Sequence, residues 1–327
     1  MFDWFWTLCD RFTSQPPRFR SVGHAQLWYE SRCHGLALKA SSTMILGSIF
    51  VMYLFVPPGK SLAFQIALGS MLGMPLILAG SQGAGLGWMR PPWSTQRGFI
   101  TFQAMRPVLT GDMLDAKYRM IVRNVVQIWM IDLAMTGTLV LIKQQTGEVA
   151  DLFRLFMGVY PGWHGLAILG LIVVLLPVFT WKLLKDSLVP GLTGRRWIAD
   201  GSVFVNLLFL MGLVAAVLWV VARPERLHRL LPALIWAMAI LVVVKLLLSV
   251  WAFRLAWRRG LLSARSIGRI AAIWTATALA TIALACLLLP GSGLQVPRPV
   301  LLVGSLLLLP LGRFALAPLA LDWNRHR

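Results

Sequence analysis

Apolar residues in this chain come in blocks, and the blocks have the length of membrane spans. Eight such segments lie between Leu36 and Leu321, read as helices near Ser42–Phe55, Leu62–Ala79, Met120–Ile142, Leu166–Trp181, Val203–Val221, Leu231–Phe253, Ile270–Leu289 and Val300–Leu321. A helix rises about 1.5 Å per residue, so roughly 20 apolar residues cross a hydrocarbon core about 30 Å thick. Inside lipid the backbone must satisfy its own hydrogen bonds, and such segments become helices. The pattern predicts an all-α integral membrane protein of about eight transmembrane helices. A chain 58% hydrophobic and 13% charged could not cover a soluble surface of this size.

Polar positions between the blocks set the orientation. With the N-terminus inside, cytoplasmic segments hold 21 of the 31 Lys and Arg, and the outer loops hold seven. The densest inner groups are Arg90, Arg97, Arg106, Lys117 and Arg119 in the second loop and Arg254, Arg258, Arg259, Arg265 and Arg269 in the sixth. The positive-inside rule places both termini in the cytoplasm. It also accounts for the net charge of +19 without nucleic acid, since the excess lies in short loops beside anionic lipid head groups.

Two regions fall outside the spans. Residues 1–35 carry aromatic and charged residues together, as in Trp4-Phe5-Trp6 and Ala25-Gln26-Leu27-Trp28-Tyr29-Glu30. They are too short to span and are expected to lie as helices in the interface, split at Pro16-Pro17. Asp3, Asp10 and Arg11 interrupt the apolar core that a cleavable signal peptide would need. From residue 36 to 327 the chain is expected to be one transmembrane domain, with a long cytoplasmic loop at 80–119. Gly83, Gly85 and Gly87 are expected to make that loop's start flexible, and Thr110 or Gly111 to cap a helix with Asp112 in its first turn.

Little in the sequence points to catalysis. No Lys-Ser or Lys-Thr follows the loop glycines at phosphate-loop spacing, so no ATPase is read in this chain. The cysteines Cys9, Cys33 and Cys286 and the five histidines have no metal-ligand spacing. Asp112-x-x-Asp115 could hold Mg²⁺ against a diphosphate, as in a membrane-embedded prenyltransferase, but the second acidic cluster this chemistry needs is missing. The two acids read better as charges at a helix start. No catalytic residue, metal or cofactor is therefore assigned.

The stretch Phe102-Gln103-Ala104-Met105-Arg106-Pro107-Val108-Leu109, followed by Asp112, Asp115 and Ala116-Lys117 ahead of a membrane helix, resembles the permease subunits of ABC-2-type transporters. Ala25–Glu30 is similar to the family's amphipathic entry segment, and 309–327 resembles tails of divergent bacterial permease-like proteins. The direct match covers about 50 residues, and the family ordinarily has six helices rather than eight. The resemblance implies a permease or permease-like subunit of an export system in a bacterial inner membrane. It implies a separate ATP-binding cassette ATPase docked on Phe102, Met105, Arg106, Pro107, Val108, Leu109, Asp112, Asp115 and Lys117, and pairing with a second permease. A lipid-directed transferase and a non-transporting scaffold are the alternatives. Within the spans, Asp132 and Arg313 lie at depths that differ by about 6 Å on the helical rise. Each needs a partner in lipid, so they are expected to pair with one another.

Overall fold

The computed structural model describes residues 19–55, 61–88, 110–143, 147–159, 161–222, 224–262, 264–288 and 312–325. These residues form helices and no strand. In chain order they are α1 (Val22–Glu30), α2 (Leu36–Leu54), α3 (Ser61–Leu86), α4 (Thr110–Lys143), α5 (Glu148–Val159), α6 (Trp163–Leu192), α7 (Arg196–Ala222), α8 (Pro224–Arg258), α9 (Ala264–Leu288) and α10 (Arg313–Arg325). Among the described residues five stretches are long and apolar enough to cross a membrane: Val22–Leu54, Phe64–Leu86, Thr110–Lys143, Gly165–Leu192 and Trp236–Arg258. Their outward faces are apolar. Leu166, Val174, Leu241, Leu247 and Val250 each expose more than half their surface, an arrangement suited to lipid and not to water. The chain has the all-α, multi-pass architecture its apolar blocks call for.

The helices run past the apolar blocks that predict them. Their polar ends keep the helical hydrogen-bond ladder outside the hydrocarbon, where charge costs little. α4 begins at Thr110 with Asp112 in its first turn, ten residues before the apolar block. α8 begins at Pro224, where proline's missing N–H costs nothing. Ser21 caps α1 by accepting from the His24 N–H at 3.2 Å. That helix continues through a π-helical turn at Ser31–Gly35 into α2, so residues 22–54 are one helical run and not a separate interfacial piece. Residues 1–18, with the first aromatic stretch and Pro16-Pro17, lie outside the described residues. The connection between the apolar blocks ending at Ile142 and beginning at Leu166 contains α5, which packs on α3, α4 and α6. Of the last block, 300–311 lies outside the described residues and Arg313–Arg325 is helical.

The most extensive interface joins α3 to α6. It corrects the expectation for the loop glycines. Gly83 lies within α3 and Gly87 just past its end, and both are packed against α6, while Gly85 lies within α3 with open space beside it. A Cβ on Gly87 would meet the Leu188 carbonyl, one on Gly83 would meet the Ser187 side chain, and one on Gly191 would meet the Ala84 carbonyl. Gly83-x-x-x-Gly87 thus lies on Ser187-x-x-x-Gly191, small residues four apart on both helices. In lipid, where apolar burial does not drive association, close backbone approach is what holds helices together. The core beside this crossing comprises Leu38, Leu46, Ala79 and Leu86 with Met120, Ile121, Val125, Trp129, Leu184, Leu188 and Leu321. Polar links fix its register: Trp129 donates to Thr180 Oγ1 at 3.0 Å, and Gln82 donates to Ser41 Oγ at 2.9 Å.

Candidate functional site

Two groups of charged residues sit where α1, α3, α4, α6, α8 and α10 converge. The first centres on Lys117. It lies one helical turn beyond Met113, on the face of α4 that Met113, Leu114, Ala116 and Met120 bury. Its ammonium is fully enclosed and donates to Glu30 Oε2 at 2.7 Å, to the Leu86 carbonyl at 2.9 Å and to the Trp88 carbonyl at 3.1 Å. An ammonium has three hydrogens, and three acceptors use all of them. Glu30 also accepts from Gln26 Nε2 at 3.1 Å, and the His34 ring lies 3.9 Å from its carboxylate. One buried ion pair therefore joins α1, the end of α3 and the start of α4.

The second group surrounds Asp186 on α6. Lys182 Nζ lies 3.3 Å from Asp186 Oδ2 and Arg313 Nε lies 3.9 Å from Oδ1. Next to it Lys185 is buried among aromatic rings, pressed on Phe314 and 5.0 Å from the ring centres of Tyr118 and Trp181. Ring faces carry the negative end of a quadrupole and suit an amine whose nitrogen has no hydrogen-bond partner among the described residues. A cavity of about 490 Å³ opens beside these residues, lined by Lys182, Asp186, Lys245, Ser249, Gly312 and Arg313 with an apolar flank from α8 and α10.

The C-terminal helix closes this end of the bundle. α6 stops at Thr193 and turns at Gly194, whose φ of +68° suits glycine. Asn324 of α10 donates to the orphaned Leu192 carbonyl at 3.0 Å, Arg195 stacks 4.3 Å over Trp323, and Arg259 pairs with Asp322 at 3.5 Å.

The residues singled out in the sequence divide accordingly. Phe102, Met105, Arg106, Pro107, Val108 and Leu109 lie outside the described residues. Asp112 is exposed, and Asp115 pairs with Arg119 at 2.7 Å across one exposed helical turn. Lys117, read as part of a docking element, is instead enclosed. The expected pair of Asp132 with Arg313 is not formed. Arg313 reaches Asp186, while Asp132 is buried in mid-helix and its two oxygens accept no hydrogen bond among the described residues. The depth estimate failed because depth leaves open which face of a helix a residue occupies. Glu30, Lys185 and Asp186 were missed as site residues. Glu30 belongs to the stretch expected to lie in the interface, and no motif in the sequence singles out Lys185 or Asp186.

No family model matches the chain, and neither a curated protein nor a solved structure is significantly similar to it.

Breaking a buried pair strands the remaining charge, at about 3–5 kcal/mol, whereas removing both partners costs much less. Glu30→Gln and Lys117→Met are each expected to lower the melting temperature of the purified protein in detergent. The double change should cost clearly less than the sum of the two, read by thermal unfolding. Additive losses would mean that the two side chains do not interact energetically.

Proposed function

We propose that the chain is a permease, or permease-like subunit, of an ABC-2-type export system. It would cross a bacterial inner membrane eight times with both termini inside, powered by a separate ATPase docked on the stretch between α3 and α4. The resemblance of 102–117 to that family's coupling region motivates the reading. One structural observation supports it. Lys117 holds the carbonyls of Leu86 and Trp88, so the end of α3 and the start of α4 meet at a single buried staple. Glu30 ties the same staple to α1. A connection whose two ends are joined in this way can pass a push from a docked partner into three membrane helices at once, because packed helices transmit displacement. A freely hinged loop would absorb it.

The reading gives the apolar residues of the loop one role and its buried lysine another. Met105→Asp, Val108→Asp and Leu109→Asp combined are expected to abolish co-purification of an ATPase from native membranes while leaving membrane insertion unchanged. An ATPase retained by this triple variant, or none retained by the unaltered protein, would contradict the reading. The second outcome would favour a scaffold, or a transferase to be assayed with Mg²⁺ and a prenyl diphosphate. The eight-span topology is checked separately by a reporter fused after Gly293, expected to read outside. A cytoplasmic signal there would contradict it.

A further inference from the structure

Polar side chains in the middle of the bundle meet one another in pairs. Gln82 of α3 holds Ser41 of α2, and Trp129 of α4 holds Thr180 of α6. Asp132 and Ser42 depart from this pattern. Asp132 follows Met120 by twelve residues and precedes Ile142 by ten, about 18 and 15 Å on the helical rise, so it stands halfway along its apolar block. It is fully buried, and neither of its oxygens has a hydrogen-bond partner among the described residues. Ser42 is buried on α2 between Leu38 and Leu46, and its hydroxyl likewise has no partner among the described residues. The two residues share one height. A Cβ on Gly35 would meet the side chain of Asn124 and one on Gly47 that of Met135, so α2 and α4 run side by side in the same direction. Seven residues beyond Gly35 and Asn124 stand Ser42 and Ile131, which brings the buried hydroxyl level with Asp132. Thr136, one turn further along α4, adds a second buried hydroxyl, which donates to the Met71 sulfur at 3.9 Å.

The helices packed around Asp132 offer its carboxylate no counter-charge. α3 has no ionisable residue between Ser61 and Leu86, and α2 has none between Lys39 and Tyr53. α4 has none besides Asp132 between Arg123 and Lys143, and α6 has none between His164 and Lys182. α1 and α10 meet α4 four turns away, at Lys117 and Tyr118. On α5, Asp151 and Arg154 pair with one another on the exposed side. A charge in hydrocarbon is costly enough that it is neutralised or takes a partner. One carboxylate balances one positive charge, and a divalent ion would leave its second charge uncompensated. Carboxylate and hydroxyl oxygens are hard donors, which suit a proton or an alkali ion and not a soft metal.

We infer that Asp132 and Ser42 form a binding site for a monovalent cation, a proton or a sodium ion, in the middle of the membrane-spanning bundle. Asp132 supplies the balancing charge and Ser42 a further oxygen. The assignment holds whether or not the chain works with an ATPase, because it uses no residue of the 102–117 stretch. A proton and a sodium ion ask for the same hard, singly charged site, and they differ in whether sodium competes with protonation.

The test uses the full-length protein in a neutral detergent and dicyclohexylcarbodiimide, an apolar reagent that adds to protonated carboxyls and not to carboxylates. Peptide mass spectrometry reads the adduct on Asp132. In sodium-free buffer, with choline as the cation, the adduct is expected in mild acid and should fall away as the pH is raised. Sodium chloride at matched ionic strength should suppress it if the site takes sodium, and should leave it unchanged if the site takes the proton alone. A hydrogen-bonding group facing a charge is worth about a tenfold change in binding, so Ser42→Ala should shift the sodium or proton concentration at half-labelling about tenfold. Thr43→Ala, one residue on and exposed, should leave it within about twofold. Asp132→Asn keeps the shape and removes the charge, so it should unfold at no lower a temperature than the unaltered protein, a result that a misfolded variant would not give. No adduct at any pH, an adduct independent of both pH and sodium, equal effects of the two alanine variants, or a lower unfolding temperature for Asp132→Asn would overturn the assignment.

Discussion

Lys117 sets the terms for the rest of the molecule. A buried ammonium is tolerated only when its charge is balanced and each of its hydrogens finds an acceptor. Glu30 provides the charge, and the carbonyls of Leu86 and Trp88 complete the set. Those two carbonyls lie at the end of α3, where a helix leaves its last acceptors without internal donors. The lysine and the helix end thus satisfy one another. For this to happen α1 must continue through the π-helical turn into α2 with Glu30 buried, and α3 must extend through its glycines to Leu86. The close crossing of Gly83 and Gly87 on Ser187 and Gly191 sets α3 at that position.

The same logic orders the neighbouring charges on α6. Lys185 is satisfied by ring faces and Asp186 by two cations, one from its own helix and one from α10. Tyr118 follows Lys117 directly and contributes to the enclosure of Lys185, so the two groups share α4. The C-terminal helix is bound into this arrangement through Phe314, Arg313 and Asn324. A chain of contacts therefore runs from α1 to α10 across one end of the bundle, among helices whose described outward faces are largely apolar.

How much of this the sequence shows depends on the kind of signal. Apolar block length finds helices because the hydrocarbon imposes it, and every block that falls on described residues is helical. Block length does not find helix ends, because polar turns of α3, α4 and α8 continue the ladder beyond the apolar run. Glycine is ambiguous on its own. Gly83, Gly85 and Gly87 read as a flexible hinge, but the partner that makes close packing worthwhile, Ser187-x-x-x-Gly191, is a hundred residues away. Ionisable residues suffer most. A rise of 1.5 Å per residue gives depth and leaves open the azimuth, so Asp132 and Arg313 looked like partners while Arg313 belongs to Asp186. Lys117 was legible as a notable residue, but its enclosure depends on a glutamate 87 residues earlier and on two backbone carbonyls.

The account rests on one buried lysine holding three segments together. Amide hydrogen exchange measured by mass spectrometry on the purified protein tests this most directly, comparing the unaltered chain with Lys117→Met. The expected result is faster exchange in two places at once, along Val22–Glu30 and at the end of α3 around Leu86–Trp88, with α8 unchanged. Unaltered protection of both segments in the variant would show that they are held by other means, and would contradict the account.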